Sequence, residues 1–277
     1  MIGLGLTGMR LHSWLVLLAG LGLALSASAV ETIRISGTGS GVGGMKLLAD
    51  AFMSANPDVK VEVLTAIGSS GGISALIGGK LELALSNRLP NEKESALAPL
   101  TTVEYARTAF VVAVHHNLGV TALSEAEFAA LYAEGSAKFP NGARARPVLR
   151  LSDATDTKLM KSFGPEAAIA MDQASTRRGM LSANTDSEAA DLIEKVPGAF
   201  SGVSLAQIAS EGRPLVALSI GGKVPSNANL AAGLYPQFKH LYLISSANVA
   251  PATRRFIAFV GAPAARALLA GHGHLPR

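Results

Sequence analysis

The sequence contains no cysteine, so the chain can form no disulfide and offers no thiol nucleophile or lipid-acceptor cysteine. Aromatic residues make up only 5% of the 277 residues, and no cluster of Lys and Arg has aromatics interleaved, which argues against nucleic-acid binding. Charge is nearly balanced, with 24 basic and 20 acidic residues. Neither a metal cluster nor a nucleophile with its base is evident, so we expect no enzyme, no metal and no cofactor.

Long apolar runs are also scarce, and the single clear one lies near the N-terminus. Residues 14–25, WLVLLAGLGLAL, follow Arg10 and precede an Ala27-x-Ala29 cleavage site. This arrangement predicts a cleavable secretory signal peptide over residues 1–29, with either Met1 or Met9 as the start. No later stretch is long enough to span a bilayer. We therefore expect a soluble periplasmic protein of about 248 residues, enough for two lobes.

The remaining chain alternates strand-like and helix-like segments. Alternation of apolar and polar residues predicts strands, and apolar spacing of three and four residues predicts helices between them. Capping boxes at Ser124 with Glu127 and at Thr185 with Glu188 predict two helix starts. The predicted strands are TIRIS (32–36), VKVEV (59–63), KLELALS (80–86), AFVVAV (109–114), RPVLRLS (146–152), AFSGVSL (199–205) and KHLYLIS (239–245). A β-α-β order of this kind predicts α/β lobes with parallel-centred sheets.

Glycine-rich or hydroxyl-rich turns follow several of these strands. Free N–H groups at a helix start converge at the carboxyl edge of a parallel sheet and attract anions. An arginine at a strand end can donate two parallel hydrogen bonds to an oxyanion, and we expect Asp153 to hold Arg150 in place. The turns are GTGSGVGG (37–44), IGSSGG (67–72), LSNR (85–88) and RLSDATDTK (150–158). Together they predict an anion site.

Each feature also permits another interpretation. Gly39-x-Gly41-x-x-Gly44 with Glu62 imitates a dinucleotide-binding fingerprint, although a secreted chain meets little dinucleotide and the second glycine turn has no role there. The glycines could serve packing alone. Arg88 and Arg150 could form surface ion pairs, and the pairs His115-His116 and His272-x-His274 could bind metal, although solvated or structural histidines are the default.

At these turns the chain resembles the periplasmic phosphate-binding proteins of ABC transporters (PstS type), within the type II periplasmic binding protein fold. IGSSGG is identical to the family's turn, and RLSDATDT stands where the family has Arg-x-Asp-x-Ser-Gly-Thr. LELALSNRLPNEK, VPGAFSGVSL and LYPQFKHLYLIS are similar to further family segments. The Ser-Gly-Thr of the family is Ala154-Thr155-Asp156 here, and its Ile-Gly-Tyr tyrosine is missing.

The resemblance implies a two-lobed protein with a two-stranded hinge, near residues 105–115 and 235–245. Lobe one would comprise residues 30–110 and 240–277, and lobe two residues 111–239. The implied function is capture of a tetrahedral oxyanion, phosphate first, for an ABC transporter permease, by a protein that acts as a monomer. Sulfate, molybdate or arsenate binding and a periplasmic anion-sensor subunit are the alternatives. The implied ligand-binding residues are Ser40, Gly41, Ser69, Ser70, Asn87, Arg88, Arg150, Asp153, Thr155 and Thr157.

Asn87 bears on the choice of anion. Many family members carry aspartate at this position, where a carboxylate can only accept a hydrogen bond and so favours a protonated ligand. An asparagine can turn to accept from phosphate or to donate to sulfate. The sequence therefore predicts weaker discrimination among oxyanions than an Asn87→Asp variant would show.

Overall fold

The computed structural model of the protein describes residues 30–133, 137–152 and 154–277. The predicted signal peptide and Asp153 lie outside the described residues. Among the helices described, none combines the length and apolar character needed to cross a membrane.

Twelve strands are described in these parts of the chain. They are β1 (Glu31–Gly37), β2 (Val59–Val63), β3 (Leu83–Ser86), β4 (Leu100–His115), β5 (Ala122–Leu123), β6 (Arg146–Leu149), β7 (Leu181–Ser182), β8 (Ala199–Ser204), β9 (Leu215–Ala217), β10 (Ser219–Ile220), β11 (Phe238–Ser246) and β12 (Leu275–Pro276).

Eleven α-helices and one 3₁₀ turn (His116–Leu118) are described alongside them. The helices are α1 (Gly39–Ala55), α2 (Gly68–Ile77), α3 (Glu92–Leu97), α4 (Glu125–Ala130), α5 (Thr155–Lys161), α6 (Pro165–Ser175), α7 (Asp186–Lys195), α8 (Leu205–Ser210), α9 (Asn227–Ala231), α10 (Pro251–Val260) and α11 (Pro263–Ala270).

One long strand joins two sheets. The strand order is β2-β1-β3-β11-β4-β8-β6-β7, and β1 pairs parallel with β2 and β3, as β6 does with β7 and β8. The 16-residue strand β4 is antiparallel to β11 as far as Ala109, and its end from Phe110 is antiparallel to β8. Each sheet thus has parallel strands on one side and shares β4 in the middle.

The two largest apolar clusters are divided in the same way. One cluster collects side chains between Ala109 and Tyr235, including Phe128, Phe163 and Phe200. The other collects side chains from Ile33 to Ala106 and from Leu241 to Leu269. Helix α10 joins this second cluster through Phe256, whose ring meets that of Phe52 edge to face at 5.1 Å. The protein is therefore a two-lobed α/β molecule, as predicted.

The predicted strands all occur, VKVEV with the bounds predicted and the others with different bounds. Strand β3 begins only at Leu83, and β4 begins nine residues before the predicted Ala109. The capping box of Ser124 and Glu127 forms completely. At the start of α7, Thr185 accepts a hydrogen bond from Glu188 N, but the Glu188 carboxylate accepts from Asn184 N, so that capping box is only half formed.

The first glycine stretch is helical. Helix α1 begins at Gly39, so Gly39, Gly41, Gly43 and Gly44 lie buried in its first turns. A Cβ atom on Gly39 would lie 2.8 Å from the Asp186 Cβ of the second lobe, and one on Gly43 would overlap Ser210. These glycines let the second lobe approach the backbone of α1 closely, so the packing interpretation applies to them.

Candidate functional site

A cavity of about 330 Å³ lies where the loops after five strands meet. The segments after β1, β2 and β3 contribute residues from the first lobe, and the segments after β6 and β7 contribute residues from the second. Ligands of open α/β sheets bind at this carboxyl edge. The residues lining the cavity are Thr38, Gly39, Ile67, Gly68, Ser69, Ser70, Gly71, Asn87, Arg88, Arg150, Leu151, Ala154, Thr155, Asp156, Asn184, Thr185 and Asp186.

The second glycine turn presents hydrogen-bond donors to this cavity. Helix α2 begins at Gly68, and its N-cap residue Ile67 supplies no side-chain cap, so the first N–H groups of the helix have no intrahelical acceptor. Ser69 Oγ accepts a hydrogen bond from Asn87 N at 3.0 Å, which leaves the Ser69 hydroxyl hydrogen available. The turn therefore offers backbone and hydroxyl donors together with the positive end of the helix dipole.

Asn87 is held by hydrogen bonds within the protein. Its Nδ2 donates to the carbonyl oxygen of His240 at 2.8 Å, and its Oδ1 accepts from Thr38 Oγ1. Because a carbonyl oxygen can only accept, these contacts set the orientation of the amide. Turning the amide would break the bond to His240 and place Oδ1 against the carbonyl oxygen, where no hydrogen bond can form.

Arg88 is neutralised by Glu94. Its Nη1 and Nη2 donate to the two carboxylate oxygens of Glu94, each at 2.7 Å, and Nη2 also donates to Ser70 Oγ at 2.8 Å. Hydrogen bonding to Arg88 lowers the pKa of Glu94, which also closes a capping box with Asn91 at the start of α3. The ion-pair interpretation therefore holds for Arg88.

Arg150 lies just past the end of β6 and is almost completely buried. Its Nη1 donates to Asp156 Oδ2 at 2.6 Å and to Asp186 Oδ1 at 3.0 Å, and Nη2 donates to the Asn184 carbonyl oxygen at 3.2 Å. Its Nε is buried and has no hydrogen-bond partner among the described residues. The guanidinium is thus held by two carboxylates that sequence reasoning did not assign to it.

Asp186 joins the two lobes. Its Oδ2 accepts from Ser40 N at 2.9 Å and Ser40 Oγ at 2.7 Å and lies 3.0 Å from Thr38 Oγ1, whose one hydroxyl hydrogen is shared with Asn87 Oδ1. Although burial opposes ionisation, the charges of Lys239 and Arg150 hold the pKa of Asp186 well below its usual range. An ionised carboxylate of the protein therefore occupies the N-terminus of the first glycine helix.

Lys239 completes a buried cluster of four charges. Its side chain has no solvent exposure, and Nζ lies 2.5 Å from Asp156 Oδ1 and 3.2 Å from Asp186 Oδ1. The ammonium also lies 5.2 Å from the centre of the Phe110 ring. Burial and the charge of Asp186 raise the pKa of Asp156 to about 6, against the lowering effect of Lys239 and Arg150. At neutral pH two cations face two carboxylates.

The predicted site residues fall into three groups. Ser69, Ser70, Asn87, Arg88, Arg150 and Thr155 line the cavity. Ser40, Gly41 and Thr157 do not line it: Ser40 is bonded to Asp186, Gly41 packs inside α1, and Thr157 Oγ1 donates to the Leu151 carbonyl at 2.7 Å. Asp153 lies outside the described residues.

Sequence reasoning missed Lys239, Asp186 and the pairing role of Asp156. A signal for Lys239 was present, since the lysine stands at an inward position of β11 that alternates with Leu241 and Leu243. A cation on the buried face of a strand requires a buried partner. Asp186 carried no such signal, because an acidic residue in the first turn of a helix is ordinary.

The other chemistries considered find little support in the structure. Gly68-Ser69-Ser70-Gly71-Gly72 also matches the Gly-x-Ser-x-Gly nucleophile pattern, but no histidine lines the cavity beside Ser70. Glu62 pairs with Lys60 at 2.6 Å and does not line the cavity either. The described part of the chain has no group of three or more metal-ligating side chains. His274 is buried, and burial lowers its pKa to about 4.

Comparison with known proteins gives matches over most of the chain. A family model described as "PBP superfamily domain" matches residues 24–263. The phosphate-binding protein PstS of Bacillus subtilis is 23% identical over 261 residues, which cover 91% of this chain and 84% of that protein.

Solved structures show the same fold at lower identity. A candidate substrate-binding protein of a phosphate ABC transporter from Clostridium perfringens, with bound phosphate, has a TM-score of 0.71 at 18% identity, covering 89% of this chain and 100% of that one. The Azotobacter vinelandii periplasmic molybdate-binding protein has a TM-score of 0.60 at 14% identity, covering 88% and 98%. Together with the family match, these similarities confirm the resemblance and the fold class that the sequence predicts.

Proposed function

Because the chain belongs to the PBP superfamily, we propose that it captures a tetrahedral oxyanion, phosphate first, in the cleft between its lobes. The observation that carries this proposal is the cavity itself, to which the two halves of the chain contribute different groups. The first half supplies the free donors of the Gly68–Gly71 turn, and the second supplies Arg150. Neither half alone offers both, so ligand binding favours closure.

We also propose the lobe division given by the resemblance. Residues 30–110 and 240–277 would form lobe one, and residues 111–239 would form lobe two. Strands β4 and β11 pair side by side between the two apolar clusters, which suits a two-stranded hinge.

The partner of the closed protein would be the permease of an ABC transporter, and the compartment the periplasm. The Bacillus and Clostridium relatives, a phosphate-binding protein and a candidate phosphate transporter component, support this proposal. The protein would bind and release its ligand unchanged and act as a monomer.

A thermal-shift panel of oxyanions on dialysed protein tests the proposed function. A ligand that binds only the folded state raises the melting temperature, by an amount that grows with concentration. We expect phosphate to give the largest shift, with sulfate, molybdate and arsenate as comparisons and chloride at equal ionic strength as the control. A panel in which no oxyanion exceeds chloride would contradict the proposal.

Ser69→Ala should weaken phosphate binding by roughly 1 kcal/mol, about fivefold. The Ser69 hydroxyl would donate one hydrogen bond to the ligand, and the neighbouring N–H groups of α2 are retained in the variant. Calorimetric titration measures the change, and Ser54→Ala, on the exposed face of α1, is the matched control. Unchanged affinity in Ser69→Ala would remove this turn from the site.

Asn87→Asp tests the selectivity expected from the sequence. The structure leads us to expect that thermal stability falls, because a carboxylate would face the His240 carbonyl oxygen, and that sulfate loses more affinity than phosphate, because the added negative charge at the cavity disfavours a doubly charged anion. Titration with both anions, beside a melting curve, gives the two readouts. Unchanged affinities for both anions would show that residue 87 lies too far from the ligand for its charge to act on it.

A further inference from the structure

The cations around the cavity are already neutralised by the protein's own carboxylates. Glu94 pairs with Arg88, and Asp156 and Asp186 pair with Arg150 and Lys239. Side-chain exposure within the four-charge cluster is at most 8%, so solvent screens these charges little. Glu188, near the start of α7, adds negative charge close to Arg150. The described residues thus bring no surplus positive charge to the cavity.

Asp186 also occupies donors that an oxyanion would otherwise use. Five donor groups lie within hydrogen-bond or ion-pair distance of its two oxygens: Ser40 N, Ser40 Oγ, Arg150, Lys239 and the hydroxyl of Thr38, which Asn87 Oδ1 also contacts. This is the coordination expected for a bound anion at a helix N-terminus. The carboxylate therefore takes the place of one negative charge at the first glycine helix.

A ligand must then be held without net charge from the surrounding side chains. Helix α2, ten residues long, contributes about half a positive charge at its N-terminus. A singly charged oxyanion leaves a small excess of negative charge in the cleft, whereas a doubly charged one leaves a larger excess that burial makes costly.

Resting on the proposed function, we propose that the cleft selects the singly charged form of its oxyanion, and that Asp186 is the residue that imposes this preference. Arg150 and Lys239 would serve to hold Asp186 and Asp156 in place as much as to attract the ligand. Phosphate would thus bind as the ion carrying two protons.

Phosphate affinity as a function of alkaline pH tests this proposal. Above neutral pH the singly charged fraction of phosphate falls about tenfold per pH unit, so the apparent dissociation constant of wild type should rise about tenfold per pH unit from about pH 7.5 to about pH 8.5. Burial raises the pKa of Asp156 to about 6, so in the unliganded protein this carboxylate is ionised over this range. Titration calorimetry at each pH supplies the values.

Asp186→Asn assigns the effect to one residue. This change adds one net positive charge, frees donors at the start of α1 and keeps the shape of the side chain. We expect the pH dependence of phosphate binding to flatten and the affinity for sulfate, which is doubly charged throughout, to rise at least tenfold. Asp191→Asn makes the same charge change on the half-exposed surface of α7, beside Arg213, and should leave both properties as in wild type. A melting curve of each variant verifies folding.

The outcomes separate the two proposals. If wild type binds no oxyanion at any pH, the proposed function itself fails. If wild type binds phosphate with an affinity that is constant or rises from about pH 7.5 to about pH 8.5, the function stands and singly charged selection is wrong. If Asp186→Asn keeps the wild-type pH slope and gains no sulfate affinity, Asp186 does not impose the preference.

Discussion

Replacing Arg150 with methionine is expected to abolish oxyanion binding, with a loss of at least about a hundredfold in affinity. The change removes the guanidinium from the cavity and leaves Asp156 and Asp186 facing Lys239 alone, so the cluster becomes negative. A buried anion beside an uncompensated carboxylate is strongly disfavoured, and each 1.4 kcal/mol lost is a factor of ten in affinity. Calorimetric titration with phosphate measures the loss.

Two further variants make this result specific. Arg150→Lys keeps the charge but loses the forked donors, so its affinity should lie between those of wild type and Arg150→Met. Arg254→Met, on an exposed position of α10, is the control for loss of an arginine. Folding is verified by circular dichroism and melting. Phosphate affinity within about threefold of wild type in Arg150→Met would place the site elsewhere.

Replacing Lys239 with methionine should lower the free energy of unfolding by about 3–5 kcal/mol, the cost of removing one partner from a buried ion pair. The side chain has no solvent exposure, and its loss leaves two carboxylates sharing Arg150. Asp156, whose pKa burial already raises to about 6, would take up a proton more readily. The loss of unfolding free energy is measured by denaturant unfolding at about pH 8, because protonation of Asp156 at lower pH would reduce it.

A double variant separates charge from packing. Lys239→Met with Asp156→Asn has one cation facing one carboxylate, so part of the lost stability should return. Lys46→Met, on the exposed face of α1, is the matched control. The four-charge cluster does not act as a neutral unit if Lys239→Met lowers the free energy of unfolding by less than about 1 kcal/mol. The same conclusion follows if the double variant is less stable than Lys239→Met.

Local signals were enough to predict the framework. Alternating apolar residues in VKVEV predicted a half-buried strand, because successive side chains of a strand point to opposite faces of the sheet. The unbroken apolar run Phe110–Val114 predicted a strand that is buried on both faces. The glycine turns predicted an anion-binding edge, and their helices do start there. The Ser124 capping box predicted the start of α4, because its two hydrogen bonds join residues only three positions apart in the sequence.

The site's charge balance could not be predicted in this way. Arg150 and Asn87 were found because each follows a strand, yet apart from Asp156, which lies six residues from Arg150, their partners come from distant parts of the chain. Asp186 is 36 residues from Arg150 and 146 from Ser40, and Lys239 is 199 from Ser40. Short-range sequence patterns cannot predict pairings between residues so far apart in the sequence.

The sequence by itself determined the alternating α/β order, the strand ends at which polar groups collect and the resemblance to a family, since these depend on neighbouring residues. Only the tertiary structure decided that Asp186 occupies the first glycine helix, that Asn87 is bonded to the His240 carbonyl, and that Lys239 balances the cluster. The physical reason is that burial strengthens electrostatic interactions and makes unpaired charge costly, so the chemistry of the cleft depends on which charges the fold brings together.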